Sequence, residues 1–419
     1  MIKSHKDEQL VKVLTGIRHC GKSYLLAEFI DELKAAGIDE DHIIRLNLEN
    51  SVFSGIRTAK DIEKFVCEKM KPSGKSYLFV DEIQTISGWE RAINSLFLRR
   101  KLDIYIASSS AAVLSKKARM RAEKKFVEIN LKTLSFTEYK NNFSVAWKKG
   151  CGLLNRAIAI RNAAESQFTN YICAGGFPAT VVDNAELRKV HLNDIYSSIL
   201  FRDVVRRFNI RNIDLLERII KYFFENIGKE NSVQRARRYL EKHRYKKNLS
   251  LVYSYVRALE DAFILKRIYR YNFLTGKQLR TNIAYFIEDH ALLNAVMPIN
   301  ADNENGVYAN ILVNELQRRS FNVHTGKIET DTIDFFAVHK DQTLFIQTIK
   351  TDDDISVIDK KLETLSRLND LYTERQDKKE MNTARYLIFF DPEAIWEDSP
   401  DDIIFIKLYD FLLLPTFFE

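Results

Sequence analysis

Apolar and polar positions follow two rhythms along the first third of the chain. Short apolar runs, "LVKVLT", "HIIRLNL", "SYLFVD" and "LDIYIAS", have the length and residue types of buried strands. Between them lie longer stretches such as "SYLLAEFIDELKAA" and "TAKDIEKFVCEKM", whose apolar residues recur at helical spacing. This alternation of strand and helix predicts an α/β fold built on a parallel, doubly wound sheet.

After about residue 135 the rhythm becomes helical, in "SFTEYKNNF", "LRKVHLNDIYSSILFRDVVRRF" and "DLLERIIKYFFENI". "CAGGFPA" (173–179) interrupts it with a Gly-Gly pair and a proline, as a tight turn would. From 230 onward, "SVQRARRYLEKH" and "SLVYSYVRALEDA" read as helices, followed by a hairpin of "FILKRIYRYNF" and "LTGKQL". Beyond 281 the pattern is mixed, with a helix in "VYANILVNELQRR" and strands in "TIDFFAV", "TLFIQTI" and "ARYLIFF". The expected organisation is an α/β domain over 1–135, a helical connector over 136–229, a small helix–hairpin module over 230–280 and a second α/β domain over 281–419.

At 419 residues the chain is too long for a single core. No apolar run reaches the roughly 18 residues of a membrane span, and the polar opening "MIKSHKDEQL" is unlike a secretion signal. Cys20, Cys67, Cys151 and Cys173 are widely separated, which argues against zinc and for a reduced, cytoplasmic setting. The net charge of +7 is mild, but residues 231–250 carry seven Lys or Arg against one Glu, nearly the whole excess of the chain. A concentrated patch of this kind suits a polyanionic partner such as DNA.

"GIRHCGKS" matches the phosphate-binding pattern G-x-x-x-x-G-K-[ST] and stands where that pattern must stand, between a strand and a helix. Gly16, Ile17, Arg18, His19, Cys20 and Gly21 would curl backbone N–H groups around a triphosphate at the positive end of the next helix, with Tyr24 close by. Lys22 would reach the β- and γ-phosphates, and Ser23 would ligate Mg²⁺. Some 60 residues on, "YLFVDEIQ" ends an apolar strand in two acids. Asp81 would hold the magnesium, and Glu82 would polarise the attacking water. The first part has no N-K-x-D guanine signature, so the expected cofactors are ATP and Mg²⁺, with ATP hydrolysed. The strand "LDIYIAS" runs into "SSS". There Ser108 or Ser109 could orient the water, or the hydroxyls could cap the following turn.

The motifs "LTGIRHCGKSYLL", "FVDEIQTISGWE", "LSFTEY", "YICAGGFPA", "YSSILFRDVVRRFNIR", "SLVYSYVRALEDAFILKRIYRYN" and "TIDFFAV" resemble those of a bacterial and archaeal family of AAA-type ATPases with a C-terminal domain of unknown function. The resemblance spans nearly the whole chain. It implies a P-loop NTPase sheet of AAA-plus type, then a helical and winged-helix region, then a restriction-endonuclease-like α/β domain. Two departures bear on hydrolysis. Lys124-Lys125 replaces the family's usual Gly-Arg pair, with Arg119 and Arg121 nearby, and "ASSSA" replaces its usual T-G-S-N-S sensor segment.

In the nuclease-like domain the resemblance offers Asp334, Gln347 and Lys350, but the lysine falls one residue late for a [DEQ]-x-K strand. Ala309 occupies the helix position where the family carries a glutamate, and Glu315, six residues on, reads as a surface acid. A site with one good carboxylate is expected to be catalytically degenerate. Arg235, Arg237, Arg238, Lys242, Arg244, Lys246 and Lys247 are candidate DNA phosphate contacts in the winged-helix reading, and a solvated helix face in the alternative. Trp89 and Phe177 read as packing anchors. "RDVVRR" (202–207) reads as an inter-helix ion network or, in a homo-oligomer, as a contact to a neighbour's nucleotide. Three functions follow: an ATPase controlling a DNA- or protein-binding module, a nucleotide-gated sensor with little turnover, and an ATP-dependent nuclease.

Overall fold

The computed structural model describes residues 2–418 apart from 100, 115–125, 143–164, 183, 244, 246–247, 330, 376–381, 392–393, 395 and 397–399. The chain divides into two compact units. One comprises Met1–Thr133, Ser197–Asn209 and Ala258–Ile264, and the other Leu134–Tyr196, Ile210–Arg257 and Leu265–Glu419.

The first unit contains strands β1 (Val11–Thr15), β2 (Ile43–Asn47), β3 (Ser76–Asp81), β4 (Leu102–Ser108) and β5 (Phe126–Asn130). All pair in parallel, in the order β2-β3-β4-β1-β5. Every residue of β1, β3 and β4 is buried, as expected of parallel strands covered on both faces. Alternation along each strand sends side chains to two cores. Leu78 and Val80 pack with Ile62 and Val66 of α2 (Ala59–Lys69) and Ile93 and Leu96 of α3 (Trp89–Leu98). Tyr77 and Phe79 pack with Leu26, Phe29, Ile30 and Leu33 of α1 (Lys22–Ala35). Thr58 starts α2 with a reciprocal capping box to Asp61. Because β4 lies between β1 and β3, the ends of these three strands converge on one edge. Residues Ile199–Arg206, also in this unit, form a π-helix.

The second unit begins with α4 (Phe136–Asn142) and α5 (Ala185–Ser198), whose last two residues join the first unit. Then come α6 (Ile213–Glu225), β6 (Glu230–Asn231), α7 (Val233–Lys242), α8 (Leu249–Asp261), whose last four residues belong to the first unit, β7 (Leu265–Asn272) and β8 (Lys277–Ile287). The remaining elements are α9 (Ala291–Val296), α10 (Glu304–Arg318), β9 (Asn322–Ile328), β10 (Asp331–His339), β11 (Gln342–Ile349), α11 (Ile355–Arg375), β12 (Asn382–Phe389), β13 (Ile404–Lys407) and α12 (Leu408–Leu413). The strands form one sheet in the order β13-β12-β11-β10-β9-β7-β8-β6.

The hairpin read from the sequence as a separate module is therefore continuous with the C-terminal strands. β8 runs across residue 280, and β7 pairs in parallel with β9 from Arg270–Thr325 to Asn272–Lys327. β9, β10 and β11 form an antiparallel meander, after which α11 provides the long crossover that parallel pairing of β11 and β12 demands. Phe336, Phe345, Leu365, Leu368 and Leu387 form the core beneath α11. Among the described residues no helix is long and apolar enough to cross a membrane.

Candidate active site

The loop joining β1 to α1 is shaped by its glycines. Gly16 has φ of 151°, and a Cβ there would lie 2.1 Å from the Leu131 carbonyl oxygen, so only glycine fits. Gly21, with φ of 106°, is the left-handed N-cap of α1. Ile17 and Cys20 are buried beneath the loop, whereas Tyr24 is 75% exposed. Lys22 is buried, and its Nζ donates to the Gly16 and Ile17 carbonyls at 2.9 Å each. Burial and the neighbouring Arg18 and Lys22 cations hold the His19 imidazole below its ordinary pKa.

Ser23 Oγ donates to Asp81 Oδ2 at 2.5 Å, joining the start of α1 to the end of β3. Burial raises the Asp81 pKa, against the opposing hydrogen bond from Ser23. A hydroxyl and one carboxylate fit Mg²⁺, which takes few protein ligands and completes its shell with phosphate oxygens and water. No group of three or more His, Cys, Asp or Glu suited to a metal occurs among the described residues, so this ion would depend on the phosphates it accompanies.

Glu82 sits in the left-handed region, with φ of 54°. Its Oε2 accepts from Ser109 Oγ at 2.8 Å and from Gln84 Nε2, while Oε1 accepts no hydrogen bond among the described residues. Gln84 Nε2 also lies 2.9 Å from Ser109 Oγ, and Ser108 Oγ donates to Gln84 Oε1 at 2.7 Å. The hydroxyls of the triple-serine segment cap the turn, one of the two readings its sequence allowed. Ser109 holds the Glu82 carboxylate, while Ser108 and Ser110 accept backbone N–H groups of the turn.

The Arg18 side chain turns away from the loop and bridges two carboxylates. Nε and Nη2 donate to Asp203 at 2.6 and 2.9 Å, and Nη1 and Nη2 donate to Glu49 at 2.8 and 2.6 Å. Nη2 also lies 3.7 Å from Glu82 Oε2. Burial works against the Arg18 charge, but Asp203 and Glu49 outweigh it and raise the pKa. Beside it, Arg207 pairs with Asp261 at 2.7 Å, and Asp261 accepts from Ser110. Glu49, Gln84 and Asp261 were not singled out from the sequence. "RDVVRR" was, as an ion network, but nothing local marked Arg18 as the partner of Asp203.

In the second unit, Asp334 Oδ2 accepts from Thr348 N at 2.8 Å and Thr348 Oγ1 at 2.9 Å, and Lys361 Nζ of α11 lies 3.4 Å away. Gln347 is buried, its side chain bonded to the Thr332 carbonyl and the Asp334 N–H. Lys350 lines a cleft of about 500 Å³ with Asp334, Thr348 and Ala309, but Lys361 is the lysine that reaches Asp334. Lys361 also reaches Asp353 at 3.5 Å, so two carboxylates share this lysine, and no group of three or more metal-ligating side chains occurs among the described residues. Glu315 corrects the surface reading. It is buried and paired with Arg318 at 3.3 Å and Arg319 at 2.7 Å, because α10 is buried almost all around from Val307 to Leu316.

α7 turns Val233, Ala236 and Leu240 inward. Arg235 is tied to Glu230 and Arg237 to Glu241, whereas Arg238 and Lys242 are exposed and have no ion pair among the described residues. Arg244, Lys246, Lys247, Arg119, Arg121, Lys124 and Lys125 lie outside the described residues. Trp89 packs edge-on against Phe126, and Phe177 is fully buried.

Residues 8–140 match the model of an AAA domain, and residues 165–303 match that of a domain of unknown function (DUF8612). An uncharacterized protein of Haemophilus influenzae is 29% identical over 343 residues, covering 82% of this chain and 83% of its own. Another, from Methanocaldococcus jannaschii, is 26% identical over 318 residues, covering 74% and 67%. Among solved structures, the Walker-type ATPase of Pyrococcus abyssi is similar at 14% identity and a TM-score of 0.45, covering 70% of this chain and 93% of that one. The matched AAA domain covers most of the first unit.

Proposed function

We propose that this chain binds ATP with Mg²⁺ on residues 16–24 and hydrolyses it, and that nucleotide state governs a second unit that contacts DNA or a protein partner. The observation that carries the reading is the half-anchored Glu82 carboxylate. Oε2 is fixed by Ser109 and Gln84, leaving Oε1 to orient and polarise a water beside the Ser23–Asp81 pair. Backbone N–H groups at the start of α1 would receive phosphate oxygens, and Lys22 would exchange two loop carbonyls for them. Ser23 and Asp81 would hold Mg²⁺, which supplies charge neutralisation to the phosphates. Arg206, exposed and without an ion pair among the described residues, is the arginine of "RDVVRR" available to a neighbouring copy in a homo-oligomer.

The element order α6-β6-α7-α8-β7-β8, with β6 on the far edge of β8, supports a winged-helix reading, and exposed Arg238 and Lys242 support phosphate contact there. The meander β9-β10-β11 followed by α11 and parallel β12 supports a nuclease-like scaffold, whereas the donors around Asp334 speak against cutting. Phosphate release should be measured with the intact chain and with Lys22→Ala and Glu82→Gln, with and without DNA. Loss of binding in the first variant and of turnover alone in the second is expected. Absence of ATP binding and turnover in the intact chain with magnesium would sink the proposal. Arg18, 3.7 Å from Glu82, favours a second reading in which nucleotide is held with little turnover. Stoichiometric binding without phosphate release would select it.

A further inference from the structure

We propose that Asp203 is a positioning residue for hydrolysis, holding Arg18 and the Ser109 proton so that Glu82 keeps Oε1 available to water. The inference rests on the ATPase reading above. Asp203 is only 3% exposed and arrives on a π-helix, a rare geometry often found at functional sites. Its two oxygens receive the Nε–Nη2 fork of Arg18, the strong bidentate form of a charged hydrogen bond.

Ser109 has one hydroxyl proton and two carboxylate neighbours, Glu82 Oε2 at 2.8 Å and Asp203 Oδ1 at 3.1 Å. With Asp203 already supplied by Arg18, the proton goes to Glu82 and fixes its orientation. The same fork restrains Arg18. Its guanidinium stands 3.7 Å from Glu82 Oε2, an ion pair without a hydrogen bond, and a shift of about 1 Å would make it a hydrogen-bonded one with the group that must handle water. Asp203 and Glu49 together hold it short of that contact. Turnover therefore depends on where residues 199–206 place one carboxylate, although among the described residues Asp203 is hydrogen-bonded to the Arg18 and Ser109 side chains and not to the Ser23–Asp81 pair.

The test is steady-state hydrolysis and equilibrium binding of a fluorescent ATP analogue in the full chain, with thermal unfolding as a control. Asp203→Asn, nearly isosteric, is expected to lower kcat at least tenfold while the analogue's Kd stays within about twofold. Adding Arg18→Met to the same chain removes the cation that captures Glu82, and most of the lost kcat is expected to return. A purely structural role would lower binding, melting temperature and kcat together and gain nothing from the second substitution, which overturns the proposal. Unchanged kcat in Asp203→Asn, beside an active wild type, overturns it and leaves the ATPase reading standing. A wild type that binds but never releases phosphate removes both. If Asp203→Asn does not fold, Ser109→Ala carries the test with the Arg18 fork intact. The same kcat loss at constant Kd supports the proposal, and an unchanged kcat refutes it.

Discussion

Removing Arg18 should expose how much of the first unit's stability rests on the ion cluster beside the phosphate loop. Arg18→Met keeps an unbranched apolar stem and deletes the charge shared by Asp203 and Glu49. With charge centres roughly 3.5 Å apart and an effective dielectric constant of about 20, each attraction is about 5 kcal/mol before desolvation is counted. The two carboxylates are not equally affected. The Asp203 side chain is 4% exposed, while that of Glu49 is 25% exposed and keeps Arg202 at 3.3 Å. The cost is therefore essentially that of one stranded buried charge, about 3–5 kcal/mol.

Trp89, buried against β5, reports on this unit. Urea unfolding followed by its fluorescence, in a Trp147→Phe, Trp396→Phe background, should show a midpoint lower by about 1–2 M for a slope of about 2–3 kcal/mol per molar. Arg18→Met with Asp203→Leu removes charge and partner together and should recover at least half of the loss. A single-variant cost below about 1 kcal/mol, or a double-variant cost equal to the sum of the two singles, would refute the view that Asp203 depends on Arg18.

Three further outcomes are expected. Gly16→Ala would drive a Cβ to 2.1 Å from the Leu131 carbonyl, so binding of a fluorescent ATP analogue should fall at least tenfold; affinity within twofold of wild type would show that the turn is not rigid. The raised Asp81 pKa means that, on acidification through that value, the folded protein takes up a proton that Mg²⁺ must displace. Mg²⁺ affinity at saturating ATP should therefore weaken already at a pH above the ordinary aspartate range, and should lose that dependence in Asp81→Asn. On α7, Arg238→Glu with Lys242→Glu should weaken duplex DNA binding and flatten the log–log salt slope by about 2, whereas neutralising Arg235 and Arg237, already paired to Glu230 and Glu241, should change it less; equal effects would rule out a contact through the exposed face.

What was legible in the sequence was what the chain keeps local. β1, the glycine loop and α1 are consecutive, and Asp81-Glu82 ends an apolar run, so spacing alone predicts a phosphate loop and an acidic strand end. The triple serine was legible as a pair of alternatives because a strand end leaves a hydroxyl either to the turn or to its neighbours, and here adjacent residues take different roles. The rest depends on tertiary pairing that periodicity does not encode. Arg18 and Asp203 are separated by 185 positions, and a side chain leaving a phosphate loop gives no sign of which distant carboxylate it will meet. Lys361 reaches Asp334 from the helix after β11, a contact that strand alternation does not encode. The β7–β8 hairpin carries the signals of an independent wing, but its first strand, β7, pairs in parallel with β9, a register that local pattern does not encode. If the Glu82 machinery is set by Asp203, a hydrogen bond spanning 185 positions is also the one through which a remote segment can govern its chemistry. Motif matching reads the phosphate loop from consecutive residues, and it has no access to a contact made across 185 positions.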